Sequence, residues 1–295
     1  YWDGATTKSF RSVAGAKRAI NHSWNNEGGY QLGTEFVITV EKFMAIHAVM
    51  ESRLAGETHH LQERQSSPRV EDHDIARDGS TAIIPVTGII GQHIPWVDTF
   101  SSGPMTDLDD VRTAIDVSEQ DLSINRVLFN FDTPGGSAAG VPETARKIFN
   151  MTKPTVAFTD SECCSAGVWL ASQANQFYAT PSSAVGSVGV WSAYTDMTGK
   201  MEQDGVKMNS IVAGKYKLMG AWWKPMADEE RDFLQAGVDK LHTEFKAAVN
   251  NRRVVDAKYL EGQVFDGDEA SKLGFTDGVV EDIWSVLRGM VDSPA

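Results

Sequence analysis

From residue 82 onward short apolar runs alternate with helix-period stretches, and this alternation constrains the fold more than any other feature of the chain. Ala82-Ile83-Ile84-Pro85-Val86 and Ile89-Ile90 read as strand, a helix opens near 107, and Val127-Leu128-Phe129-Asn130-Phe131 reads as strand again. A second helix follows near 141–150, then the strand Thr155-Val156-Ala157-Phe158. Strands separated by crossover helices pair in parallel, so the pattern predicts an α/β protein with a largely parallel sheet. The helix near 107 has a start signal, Thr106 followed three residues later by Asp109, with Leu108, Val111 and Ile115 on one face. Further on, acidic Asp228-Glu229-Glu230 opens a long helix whose Leu234, Val238, Leu241, Phe245 and Val249 form a stripe for core packing.

The first 80 residues read differently. Residues 1–34 are Gly- and Asn-rich, with a loop at Asn25-Asn26-Glu27-Gly28-Gly29. Phe36, Val40, Phe43, Ile46, Val49 and Leu54 recur at near-helical spacing and predict an amphipathic helix over 35–54. Gly56 to Ser80 is almost devoid of apolar residues and reads as a linker. The expected organisation is a tail and helix over 1–56, a polar linker over 57–80, the main α/β domain over 81–284 and a short tail over 285–295.

Composition excludes several classes. Lys plus Arg is 27 against 40 for Asp plus Glu, a net charge of −13, so a nucleic-acid partner lacks its electrostatic footprint. With 41% hydrophobic residues and no apolar run near the length of a spanning helix, no membrane span is expected. With no basic or apolar leading segment after Tyr1-Trp2-Asp3, no leader peptide is expected. The two cysteines, Cys163 and Cys164, are adjacent, too few and too close for a disulfide scaffold or a thiolate zinc site, which points to a reducing, cytoplasmic setting.

Three segments carry chemistry. Asp132-Thr133-Pro134-Gly135-Gly136-Ser137 follows a strand, and its glycines either make a plain tight turn or leave N–H groups facing a ligand. It is no phosphate loop, having no Lys. After the next strand, Ser165 precedes Ala166-Gly167-Val168-Trp169-Leu170-Ala171; a Ser there can cap the helix or, with a base, serve as a nucleophile beside free helical N–H groups. Histidine is the usual base, yet none occurs between His93 and His242, and His22, His47, His59, His60 and His73 lie in the N-terminal region. A desolvated lysine can replace it, and Gly214-Lys215-Tyr216-Lys217 sits beside apolar Ile211, Val212, Leu218 and Met219. Between these segments, Gly186-Ser187-Val188-Gly189 reads as a turn.

In this order the segments resemble the signal peptide peptidase A family of Ser-Lys peptidases, which share the ClpP/crotonase fold. The likeness spans Ala82 to Val280 and includes Asp-Thr-Pro-Gly-Gly, Cys-Ser-Ala-Gly-Val-Trp-Leu-Ala-Ser, Tyr-Ala-Thr-Pro-Ser-Ser-Ala-Val-Gly-Ser-Val-Gly-Val, Gly-Lys-Tyr-Lys, and Val264-Phe265-Asp266-Gly267 with Leu273-Gly274-Phe275. The resemblance implies repeated β-β-α units around a mostly parallel sheet. It implies Ser165 as nucleophile, Lys217 as general base with Lys215 its rival, and Ser187 orienting the amine. The N–H groups of Gly136 and Ala166 would form the oxyanion hole, Gly135 would help bind substrate, and no metal or organic cofactor is required. The implied partners are an extended polypeptide and further copies of the chain in a homo-oligomer. The single catalytic unit is similar to the phage type that trims scaffold and capsid proteins in the prohead; degradation of cleaved signal peptides is the alternative, and a catalytically dead assembly protein a third. Cys163 and Cys164 depart from the family's small residues and read as packing, with sensitivity to thiol reagents left open.

Overall fold

The computed structural model describes residues 36–38, 75–93 and 105–292. The described residues fall into two compact units, the smaller made of 193–231 and the larger of the others.

The larger unit is mixed α/β. Its elements in order are β1 (Phe36–Ile38), β2 (Ala76–Asp78), β3 (Thr81–Gly91), β4 (Met105–Asp107), α1 (Leu108–Gln120), β5 (Arg126–Ser137), α2 (Val141–Phe149), β6 (Thr155–Cys164), α3 (Ala166–Ala171), β7 (Gln176–Ala179) and β8 (Ala184–Gly186). The smaller unit holds α4 (Thr198–Asp204), and the chain continues through α5 (Asp228–Val249), β9 (Val264–Asp266), α6 (Gly267–Lys272), β10 (Gly278–Val279) and α7 (Ile283–Asp292). The sheet runs β10-β7-β6-β5-β3-β2, parallel from β10 to β3, with β2 antiparallel at the edge. The mostly parallel sheet expected from the alternation is therefore what forms.

The central strands are apolar without interruption because both faces are covered. Val127, Phe129 and Phe131 point to the main core with Ile115, Val141, Ile148 and Trp169, while Leu128 points the other way and joins Val156, Phe158, Val286 and Leu287. Trp169 of α3 stacks on Phe245 of α5 with ring centroids 4.5 Å apart. Of the long helix's stripe, Phe245 and Val249 are fully buried and Leu241 packs beside them. Arg253 fastens the sheet from below: buried, it donates from Nη2 to the Ala174 carbonyl at 2.9 Å and from Nη1 to the Asp277 carboxylate, which also accepts the Phe177 N–H at 2.7 Å. Burial pushes the guanidinium's pKa down, against the pull of Asp277. Asp277→Asn keeps the shape and removes the charge, and should cost about 2 kcal/mol of stability in a urea titration.

Three expectations are corrected. Residues 36–38 form a strand, not the start of a helix, because Phe36-Val37-Ile38 combines aromatic and β-branched residues suited to a sheet position that a helical period alone overlooks; the rest of the expected helix, and the linker up to residue 74, lie outside the described residues. The cap of α1 is Asp107, whose carboxylate accepts the Asp109 N–H at 2.9 Å. Thr106 instead bridges to β3, its Oγ1 accepting from the Thr87 N–H at 2.8 Å and donating to the Thr87 carbonyl at 2.9 Å. Finally, β5 does not stop at Phe131: it runs through Gly135 and Gly136, which pair with Ile89 and Ile90 of β3.

Candidate active site

Strands β3, β5, β6 and β8 run parallel, so their carboxyl ends collect at one edge of the sheet, where ligands of open α/β sheets bind. The sequence segments singled out for chemistry in the larger unit all arrive there. The last register pair between β5 and β6 is Thr133 with Cys163, and Gly136 and Ala166 each follow that pair by three residues. Gly167 fixes the approach of α3 to β5, since a Cβ there would lie 2.6 Å from Thr133 Cγ2. Thr133 itself is buried, donating to the Gly88 carbonyl at 2.5 Å and accepting the Gly135 N–H at 3.1 Å, so it ties the glycine segment to β3. Sequence reading gave Thr133 no role; its place inside the motif was the signal. Gly136 lies so close to β3 that an added Cβ would sit 1.8 Å from the Ile90 carbonyl oxygen.

Ser165 occupies the strand-to-helix turn between β6 and α3. A helix-capping serine has extended backbone and spends its hydroxyl on the first turn. Ser165 does neither: its φ is 55° and ψ −117°, and its side chain makes no capping hydrogen bond. Among the described non-glycine residues only His93, Ser165 and Ser187 have positive φ, so both serines singled out in the sequence carry backbone strain of about 1–3 kcal/mol. Both are held there by main-chain bonds. The Ser165 N–H donates to the Gly186 carbonyl at 2.8 Å, and the Ser187 N–H donates to the Gln263 carbonyl at 2.6 Å. β8 and β9 pair antiparallel just before Ser187, with Gly186 opposite Val264. Gln263 was invisible to sequence reading because it acts through its backbone from 76 residues downstream of Ser187.

The two lysines lie in the smaller unit, in a turn-rich segment. Lys215 is ion-paired to Glu229, which also accepts the Tyr216 hydroxyl at 2.9 Å. The hydrogen bond that the Lys215 amine donates to Glu229 raises the pKa of that amine. Lys217 is exposed. In the same unit Trp222 and Trp223 pack edge to face at 5.3 Å, with Trp223 Nε1 donating to Ser210 Oγ at 3.3 Å. His242, the remaining histidine downstream of Ser165, donates its ring N–H to the Leu260 carbonyl at 2.9 Å and is spent on packing.

Cys163 and Cys164 are buried, as packing residues should be. Desolvation pushes the Cys163 thiol's pKa well up, and the Cys164 Sγ lies 3.7 Å from the Ala184 carbonyl. Sensitivity to thiol reagents is therefore not expected. Incubation of the folded chain with a chromogenic disulfide reagent at pH 8 should label under about a tenth of the thiols, and denaturant should release both.

Fold and site together define an α/β protein that presents a strained, uncapped serine at a strand–turn–helix junction, the posture of a hydrolase nucleophile. Residues 147–288 match the model described as peptidase family S49, so this stretch of the chain is similar to that family. It is similar to the head-tail preconnector protein of Enterobacteria phage P21, at 30% identity over 219 residues that cover 72% of this chain and 43% of the relative. Capsid assembly protease C of Escherichia phage lambda is 28% identical over 219 residues, 72% of this chain and 49% of the relative. A putative protease of Methanocaldococcus jannaschii is 30% identical over 186 residues, 60% of each chain. The chain thus spans about half the length of the phage relatives. Among the described residues no helix is long and apolar enough to cross a membrane.

Proposed function

We propose that the chain is a serine endopeptidase using a Ser-Lys dyad, Ser165 with Lys217, and that it trims scaffold or capsid polypeptides during phage head assembly. The observation that carries the chemistry is the backbone of Ser165: a positive φ at the head of α3, with no capping bond by its hydroxyl, leaves the side chain for another task. Lys217 is preferred to Lys215 because it is the fourth residue of the Gly-Lys-Tyr-Lys segment on which the Ser-Lys resemblance rests, whereas the Lys215 amine is engaged by Glu229. The phage setting is favoured by the similarity to the head-tail preconnector protein of phage P21 and to capsid assembly protease C of phage lambda.

In this reading Ser165 Oγ attacks the scissile carbonyl carbon while its proton passes to Lys217 Nζ. The oxyanion takes hydrogen bonds from the N–H groups of Gly136 and Ala166. As the tetrahedral intermediate collapses, the lysine ammonium gives its proton to the leaving amine. Water, deprotonated by the same lysine, then hydrolyses the acyl-enzyme and restores Ser165. Ser187 orients the amine. Lys217 is exposed in the single chain, so its water shell must be displaced by bound polypeptide or a neighbouring copy before the amine works as a base, which fits a homo-oligomer. Substrate binds extended, pairing with β5 beside Gly135. Cytoplasm or prohead interior is the corresponding location, and neither nucleic acid nor a metal takes part. The test is cleavage of an unfolded polypeptide by the native chain beside single-residue variants of the dyad, with the outcome set out in the Discussion.

A further inference from the structure

β5 has two edges. β3 holds one of them as far as Gly136, pairing Ile89 with Gly135 and Ile90 with Gly136. β6 holds the other only to the Thr133–Cys163 pair, after which it turns off to Ser165 and pairs with β8. Beyond Thr133 the second edge is therefore vacated, and it borders the turn that carries Ser165. A segment of this same chain fills it: β1 runs antiparallel to β5 with Phe36 opposite Ser137, Val37 opposite Gly136 and Ile38 opposite Gly135.

We infer that Phe36–Ile38 is a built-in occupant of the substrate strand position, so that an incoming polypeptide must displace it before reaching Ser165. The inference rests on the reading of this β5 edge as the place where substrate pairs. Three features support it. The register centres on Gly136, the residue whose N–H is assigned to the oxyanion. A strand of only three residues offers few ladder bonds, so it is a displaceable occupant and not a permanent one. And because it is tethered to the chain it occludes, its effective concentration is on the order of millimolar and independent of dilution, enough to compete with weak substrates yet not with a long, well-paired one. Occupancy by a competitor reduces apparent affinity by the competent fraction and leaves the chemistry untouched.

The contact is one of backbone to backbone, and the test exploits this. In an antiparallel pair alternate residues turn their N–H toward the partner, so Val37→Pro with Ile38→Pro in the full chain removes at least one such donor whichever way the strand faces. Val37→Thr with Ile38→Thr keeps every N–H and the strand preference. With fluorescein-labelled unfolded casein as substrate, the double-proline variant should show a KM about five- to twentyfold lower at unchanged kcat, and the double-threonine variant should match the native chain. A synthetic peptide of residues 34–40 should then inhibit the double-proline variant competitively. Amide hydrogen exchange gives a readout free of activity: Gly135, Gly136 and Ser137 should exchange faster in the double-proline variant alone. Exchange that is the same in all three chains, or a KM unmoved by the prolines in an active enzyme, overturns the inference while leaving Ser165 as nucleophile. Faster exchange in chains that cleave nothing would keep the occupant and overturn the peptidase reading instead.

Discussion

Ser165→Ala and Lys217→Ala should each lower cleavage of an unfolded polypeptide by about 10³-fold or more, with circular dichroism and melting temperature close to native. The size of the loss follows from the mechanism. Without Oγ there is no acyl-enzyme, and without the amine the hydroxyl proton has nowhere to go at neutral pH. Lys215→Ala provides the contrast. Its amine is tied to Glu229 at an exposed site, a pair worth little in water, so that variant should keep nearly full activity. The two substitutions should not be additive, since the double variant has no more to lose than either single one. Loss of activity in Lys215→Ala with retention in Lys217→Ala would move the base to Lys215.

Gly136→Ala should cost about 3 kcal/mol or more in denaturant unfolding and abolish cleavage together with it. The added methyl would fall 1.8 Å from the Ile90 carbonyl oxygen and 2.6 Å from Ile90 N, and both are backbone atoms inside a ladder that cannot swing aside. To admit the methyl, β3 and β5 must part along the stretch that sets the glycines beside α3. Gly199→Ala measures the background, because no atom lies within 4 Å of a Cβ there; it should change stability by less than about 1 kcal/mol. A Gly136→Ala chain with native stability would mean that β3 and β5 are spaced more widely than described.

Much of this was legible in the sequence for definite physical reasons. Strands β3, β5 and β6 announced themselves because burial on both faces leaves unbroken apolar runs, and α1 and α2 because one face of each must meet those strands. Ser165 and the two lysines could be singled out because a nucleophile needs a partner base, while Ser187 and Gly136 took their expected roles only from the resemblance to the Ser-Lys peptidases. What sequence could not supply was whatever depends on pairing between distant segments. Nothing in Asp-Thr-Pro-Gly-Gly says that the strand continues through its glycines; that follows from Ile89 and Ile90 lying alongside. Nothing near Ser187 points to Gln263, whose backbone carbonyl accepts the Ser187 N–H from 76 residues away. Phe36-Val37-Ile38 lay within a stretch whose apolar spacing also fits a helix, and only a vacant sheet edge decides for strand. The state of Lys215 depends on a carboxylate 14 positions downstream, which no local pattern reveals.

The bonds that hold the two serines have a bearing on timing. Ser165 is fastened to the Gly186 carbonyl, and the next residue, Ser187, to Gln263, beside a β8–β9 pairing that joins residues 184–186 to 264–266. Contacts across such long stretches of chain must overcome a large loop-closure entropy and form late in folding. The strained serine therefore gains its posture only after the strands behind it have closed, and a nascent copy still emerging from the ribosome without residue 263 lacks that clasp. In the proposed mechanism this order of assembly works as a safety catch: while the chain is unfolded, and is itself the kind of polypeptide the proposed site would accept, Ser165 does not yet have the posture assigned to a nucleophile.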